Sequence, residues 1–215
     1  MQPQSTRRFD SKQEYIINSF LNQFYFKKVN PSTKIVKDTE LQIAGVDFRQ
    51  KNKFGQIINI DVKAQSSARY INNPQPTYIL ELSSLNKYDE PFIGWFLNEE
   101  LITDYYCFVW IPEADTDHDG RLKNMYDIKK AEVMTVSKAK LHEYIMPLLR
   151  AVDLDRTIRL MRDTELTRKP LTSELHFSHT PNLREKPVNL VAKKSLLKKF
   201  AVEHCVVTQE GISFL

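Results

Sequence analysis

The segment Ile57-Ile58-Asn59-Ile60-Asp61-Val62-Lys63-Ala64 alternates apolar and polar residues from Ile58 onward. In an extended strand, successive side chains point to opposite faces. Ile58, Ile60, Val62 and Ala64 then share an apolar face, and Asn59, Asp61 and Lys63 share the other. A carboxylate and an ammonium thus stand side by side on a strand whose reverse is core. Fourteen residues before Asp61, Gly45-Val46-Asp47 carries a second acid. A hairpin turn through Lys51-Asn52-Lys53-Phe54-Gly55 would pair its strand with this one. Two carboxylates can hold Mg²⁺ through hard oxygen ligands and leave positions open for water and phosphate. The ion polarises a phosphoryl oxygen and lowers the pKa of a bound water. A lysine beside it orients that water and stabilises negative charge in the transition state. Asp47, Asp61 and Lys63 therefore suit phosphodiester hydrolysis, with the backbone carbonyl of Val62 as a further metal ligand.

Gly45-Val46-Asp47 followed by Asp61-Val62-Lys63 resembles the PD-(D/E)xK nuclease superfamily, which includes restriction endonucleases, Holliday-junction resolvases and phage recombination exonucleases. The resemblance covers about residues 11–111. It implies an α/β (α+β) fold with a restriction-endonuclease-like core, a mixed central β-sheet flanked by helices, one of them ahead of the first motif strand. It implies Mg²⁺ or Mn²⁺ as cofactor, with Asp47 and Asp61 as metal ligands and Lys63 as the catalytic lysine. It also implies DNA as substrate, a phage or mobile-element origin and a homodimer, since two sites cut two strands most easily. Gln65 falls where some members carry a functional Gln, and Glu14 lies in the helix from which some supply a third carboxylate. Val46 stands where a proline often precedes the first acid, and the second acid is Asp rather than the commoner Glu. The expected activity is endonucleolytic hydrolysis of DNA. The alternative is a non-catalytic nucleic-acid-binding protein that keeps the nuclease-like fold.

An acid-x-lysine triplet is a short signal, expected by chance about two or three times in a chain like this. Asp127-Ile128-Lys129 is a second copy, with Asp117 ten residues before it. The first copy has the stronger alternation and a helix just ahead of it. For Asp61 and Lys63 the plain reading is an exposed ion pair on a sheet face; for Glu14 it is the last residue of a capping box. Glu81, in Tyr78-Ile79-Leu80-Glu81, is a further carboxylate whose facing the pattern leaves open. Asp115-Thr116-Asp117-His118-Asp119-Gly120 matches the first half of a calcium loop, but Tyr126 occupies the position that needs a bidentate Glu, so an acidic turn is expected. His176 and His179 have ligand-like spacing without a Cys or acid partner in register.

Several elements must position these residues. Ser11-Lys12-Gln13-Glu14 reads as a capping box opening a helix to about Lys28, closed by Asn30-Pro31. Strands are expected over about 40–50, 57–64, 77–82 and 105–111. Residues 91–101 are expected as a short helix, 126–136 as a strand, 137–149 as a helix and 187–191 as a short strand. Residues 193–204 read as an amphipathic helix with Lys193, Lys194, Lys198 and Lys199 on its polar face. That face could grip phosphates together with Arg184 and Lys186, fixing position rather than sequence; surface solubility explains it equally well. Arg69 and Tyr70 sit in a polar loop that could meet a substrate strand.

The expected division is a nuclease-like core over 1–150, with 1–9 disordered, and a basic extension over 151–215 packed on it. The extension holds eleven Lys/Arg against eight Asp/Glu, and most of the net charge of +4. Such an excess favours a polyanionic partner. Charged residues at 27% and apolar residues at 41% are ordinary for a globular protein. Cys107 and Cys205 make no disulfide framework or zinc site. No signal segment or membrane span is evident, so a cytoplasmic protein with no membrane partner and no small-molecule cofactor is expected.

Overall fold

A computed structural model describes residues 7–215, with side chains described from Lys12 onward. Of the tail expected to be disordered, residues 1–6 lie outside the described residues, and Arg7 to Phe9 are already helical. Helix α1 (Arg7–Leu21) runs through a π-helical turn (Asn22–Phe26) into α2 (Lys27–Val29), which ends at Asn30. Ser11 is therefore inside a helix and does not begin it, because no Gly or Pro lies between Arg7 and Ser11 to break it. Ile16, Ile17, Phe20, Leu21, Tyr25 and Phe26 are buried along this helical run.

Strand β1 (Lys34–Ile35) is followed by α3 (Thr39–Ile43) and β2 (Phe48–Lys51). The strand expected over 40–50 is thus half helix. Asp38 caps α3 by accepting the N–H groups of Glu40 and Leu41. Gly45, at φ +79°, then ends it. The Gly45 N–H donates to Gln42 O and the Val46 N–H to Leu41 O, both at 3.0 Å, in a Schellman arrangement. A strong cap and a left-handed glycine outweigh the β pattern between them. Next come β3 (Ile57–Ala64), β4 (Thr77–Leu85) and β5 (Pro91–Ile93). The last replaces the short helix expected over 91–101; Pro91 opens an edge strand, where its missing N–H costs nothing.

Strands β6 (Tyr105–Ala114) and β7 (Ile128–Ser137) are joined by an acidic loop, and α4 (Lys138–Ala151), α5 (Leu154–Asp163), β8 (Arg168–Pro170) and β9 (Leu175–His179) follow. The chain closes with β10 (Val188–Lys193), α6 (Lys194–Lys198), β11 (Ala201–Thr208) and β12 (Ile212–Phe214). The amphipathic helix expected over 193–204 is only the short α6. From Ala201 the β-branched run pairs antiparallel with β7, burying Cys205 and Val207. An open strand edge offers a full ladder of hydrogen bonds and overrides the helical spacing.

The fold is mixed α/β, with two sheets in two compact units. The first unit comprises, among the described residues, 7–75, Ile102–Lys138 and Ala201–Leu215. It holds a seven-stranded sheet in the order β1-β2-β3-β6-β7-β11-β12. Only the β3–β6 pairing is parallel; its other neighbours run antiparallel. One face of this sheet, through Ile60, Cys107, Val109, Val133, Cys205 and Val207, packs with Ile17, Phe20 and Tyr25 into the core. The second unit, among the described residues Pro76–Leu101 and Ala139–Phe200, holds a five-stranded antiparallel sheet in the order β5-β4-β10-β9-β8. Leu80, Leu82, Phe177 and Leu190 are buried in its strands, and Leu141, Ile145, Ile158 and Met161 in its helices. The units interleave along the chain, so neither is the continuous block 1–150 or 151–215. No helix among the described residues is long and apolar enough to cross a membrane.

Candidate functional site

Asp47 is set by what precedes and follows it. Gly45 turns the chain out of α3, and the Asp47 N–H donates to Ile60 O at 2.9 Å, starting the β2–β3 ladder one residue before β2 proper. The hairpin between them closes on Asn52, whose Oδ1 accepts the N–H groups of Phe54 and Gln56. Its register places Phe48 opposite Ile60, so Asp47 arrives beside Asp61 and Val62. The Asp47 Oδ2 accepts the Val62 N–H at 2.7 Å. Val62 thus enters the site first through its N–H, which orients the Asp47 carboxylate.

Along β3, Ile58, Ile60, Val62 and Ala64 join the core. Asp61 and Lys63 take the opposite face, and the Lys63 Nζ stands 2.9 Å from Asp61 Oδ1. Asp61 is 3% exposed, whereas the Lys63 side chain keeps 23% exposure. This is no surface ion pair. Burial raises the Asp61 carboxyl to about 6 and outweighs the Lys63 ammonium, which lowers it; the Asp47 carboxylate raises it further. Burial likewise raises Asp47, against the lowering by the Val62 N–H and Lys63. Two carboxylates this close in a dry setting cannot both ionise cheaply.

Asp61 Oδ2 is buried with no hydrogen-bond partner. A buried carboxylate oxygen without a donor is costly, and a cation shared with Asp47 would satisfy it. The donor set thus fits a hard divalent ion: two facing carboxylates, one with an orphaned oxygen, at the edge reached by Lys63.

Comparison with protein-family models, with curated proteins and with solved structures finds no match to this chain. The site therefore rests on its own geometry.

That geometry adds a residue that the sequence reading did not single out. Tyr106 pairs in register with Asp61 across the parallel β3–β6 ladder and is fully buried. Burial, then the Asp61 charge, pushes its phenol up. The apolar run from Tyr105 signalled a buried strand, but only the parallel pairing places this hydroxyl-bearing ring beside the acid.

The remaining candidates fall elsewhere. Glu14 is solvent-exposed on α1; its neighbour Gln13 is buried and hydrogen-bonds both N–H and O of Leu122. The Gln65 side chain donates to Gln75 O at 3.3 Å and accepts the Gln75 N–H at 2.9 Å, so it clamps the ends of the 65–75 loop. Glu81 lies in the second unit and accepts a hydrogen bond from Ser84 Oγ. Lys193, Lys194, Lys198 and Lys199 also belong to the second unit. The long basic helix face reduces to one short helix, with Lys199 held by Glu174. His179 is buried on β9, and His176 precedes it on the same strand.

The second triplet is spent on structure. Asp127 Oδ2 accepts the N–H groups of Lys123 and Asn124, capping a 3₁₀ turn, while Lys129 pairs with Asp115 at 2.9 Å. In the half calcium loop, ligand atoms of Asp117, His118 and Asp119 lie within 4.8 Å of one another. The Asp117 Oδ1 already accepts the loop's own Asp119 and Arg121 N–H groups, as an acidic turn requires.

Proposed function

We propose that this chain is a metal-dependent nuclease that hydrolyses phosphodiester bonds of DNA, with an endonucleolytic mode. The observation that carries the reading is the Lys63 ammonium 2.9 Å from a buried Asp61 whose second oxygen is orphaned beside Asp47. Asp47 and Asp61 would hold Mg²⁺ or Mn²⁺, with the Val62 carbonyl as a further ligand. When bound, the ion supplies positive charge at the phosphoryl group and lowers the pKa of an attacking water. The chain's own residues do the rest. Lys63, fixed by Asp61, stabilises the charge that develops on the phosphate and orients the water. The Val62 N–H holds Asp47 in place. Burial excludes bulk water, which strengthens each of these interactions. The finer features of the reading, a restriction-endonuclease-like core, a homodimer and a cytoplasmic location in a phage or mobile-element setting, draw on the motif resemblance alone.

The test is cleavage of supercoiled plasmid, linear duplex, single strands and a four-way junction with Mg²⁺, Mn²⁺ or EDTA. Metal-dependent cutting that vanishes in Lys63→Ala and Asp61→Ala supports the reading, and the preferred substrate names the class. The 3% exposure of Asp61 favours one other reading, a nucleic-acid-binding module whose buried acids never meet a phosphate. Folded protein that binds DNA and cuts none of these substrates establishes that reading instead.

A further inference from the structure

The apolar face of β3, the one turned away from Asp61, borders a cavity of about 220 Å³ within the first unit. Its walls include Ile58 of β3, Tyr105 of β6, Thr135 of β7 and Glu203 of β11. Tyr25 and Phe26 come from the π-helical turn. Such a turn inserts one residue into a helix, and π-turns recur at functional sites. Here it turns two consecutive aromatic residues, both buried, toward the sheet.

Glu203 gives the cavity its chemistry. It is half-buried, and Tyr25 donates its hydroxyl hydrogen bond to Glu203 Oε1. The same hydroxyl lies 3.2 Å from Thr135 Oγ1. Among the described residues, no Lys or Arg lines the cavity and no cation pairs with Glu203. Burial first, and the Glu203 charge among the further causes, raises the phenol of Tyr25 and the thiols of Cys107 and Cys205, the last to about 12. A phenol and two thiols carry no positive charge in either protonation state, so none of the three balances the carboxylate. A partly desolvated carboxylate without a counter-ion is unfavourable unless something cationic joins it.

We propose that this cavity binds a small primary ammonium compound, its ammonium on the Glu203 carboxylate and its apolar body against Tyr25, Phe26 and Tyr105. Aromatic faces attract cations and pack flat apolar groups. Glu203 and Thr135 offer oxygen acceptors, which suit an N–H-rich head better than a quaternary one. The volume equals about seven waters at ~30 Å³ each, so the body is a single ring or a short branched chain. The site lies on the opposite face of β3 from the acids and does not depend on the nuclease reading.

The experiment is calorimetric titration of the full chain with phenethylammonium and isoamylammonium, against 2-phenylethanol as neutral isostere and phenylacetate as anion. Binding of either ammonium at least about tenfold tighter than the alcohol, with no phenylacetate binding, is expected. Glu203→Gln keeps an acceptor for Tyr25 and should bring ammonium and alcohol to within about twofold. Val29→Trp, at a partly exposed wall residue, should block both while leaving the circular dichroism spectrum unchanged, and it serves if Glu203→Gln does not fold. Equal affinity for ammonium and alcohol overturns the proposal. So does failure of both ammonium probes to bind, or wild-type binding by the folded variants.

Discussion

Asp61-Val62-Lys63 and Asp127-Ile128-Lys129 share one spacing, lie in one compact unit, and turn their apolar middle residues into the same core. They differ in their neighbours. Asp61, on β3 between β2 and β6, is buried, and Tyr106 stands beside it. Asp127 sits in the turn before β7, where loop N–H groups take its oxygens. Lys63 binds the acid of its own triplet; Lys129 turns to Asp115, with both side chains in solvent. An acid-x-lysine pattern thus selects a face and no more. Whether the carboxylate becomes reactive depends on whether it is desolvated and left with an unsatisfied oxygen.

The comparison breaks most sharply on activity. Lys63→Ala and Asp61→Ala should each lower metal-dependent cleavage by at least about hundredfold, the scale of losing one preorganised charge-stabilising group. Asp127→Ala and Lys129→Ala should stay within about twofold. Equal losses at both copies, measured as plasmid cleavage rates, would erase the distinction.

A pH-dependent stability measurement comes next. Burial raises the folded-state Asp61 carboxyl to about 6 from an unfolded value of 3.8, so the native state binds this proton more tightly than the unfolded chain. The associated stability is fully present below the unfolded value and is lost as pH rises through about 6. Without divalent metal, Asp61→Asn should therefore stabilise the protein at pH 8 by on the order of 3 kcal/mol, less what Lys63 loses, and be close to neutral near pH 4. Thermal unfolding at both pH values checks this. A variant destabilised equally at each would show Asp61 to be an ordinary structural ion pair. Mg²⁺ should raise the wild-type Tm at pH 8 and leave that of the Asn variant unchanged.

Asp127→Ala sharpens the contrast from the other side. It should cost about 1 kcal/mol as a lost turn cap, equally with and without Mg²⁺. A metal-dependent cost would move Asp127 into a functional class. The smallest effect belongs to Lys129→Ala, within about 0.5 kcal/mol in denaturant unfolding, since its partner Asp115 is exposed. A larger loss would mean that the exposed pair is more tightly coupled than its solvation allows.

Much of the site's local frame was legible in the residues. Period-two alternation separates Asp61 and Lys63 from the core face of β3, and Asn52 with Gly55 at φ +78° writes the hairpin. Both are properties of a few consecutive residues. The segment around Asp47 was legible only in part. Its β pattern was visible, but the competing Asp38 cap and Gly45 stop turned half of it into α3. Residues 201–208 went further astray, because helical spacing is a local signal whereas the open edge of β7 is supplied by residues some seventy positions earlier.

The sequence by itself determined which side of β3 carries the carboxylate and the ammonium, where the hairpin turns, and that one lysine-bearing triplet follows a second acid at strand-pairing distance. Only the tertiary structure decided that Asp61 is buried with an orphaned oxygen, that Tyr106 lies beside it and that Asp127 is a cap. It alone decided, too, that Glu203 lines a cavity with no counter-ion among the described residues. The reason is the range of the forces. Backbone geometry and side-chain alternation act between near neighbours in the chain, whereas desolvation and the coupling of charges depend on whichever distant strands come to lie alongside.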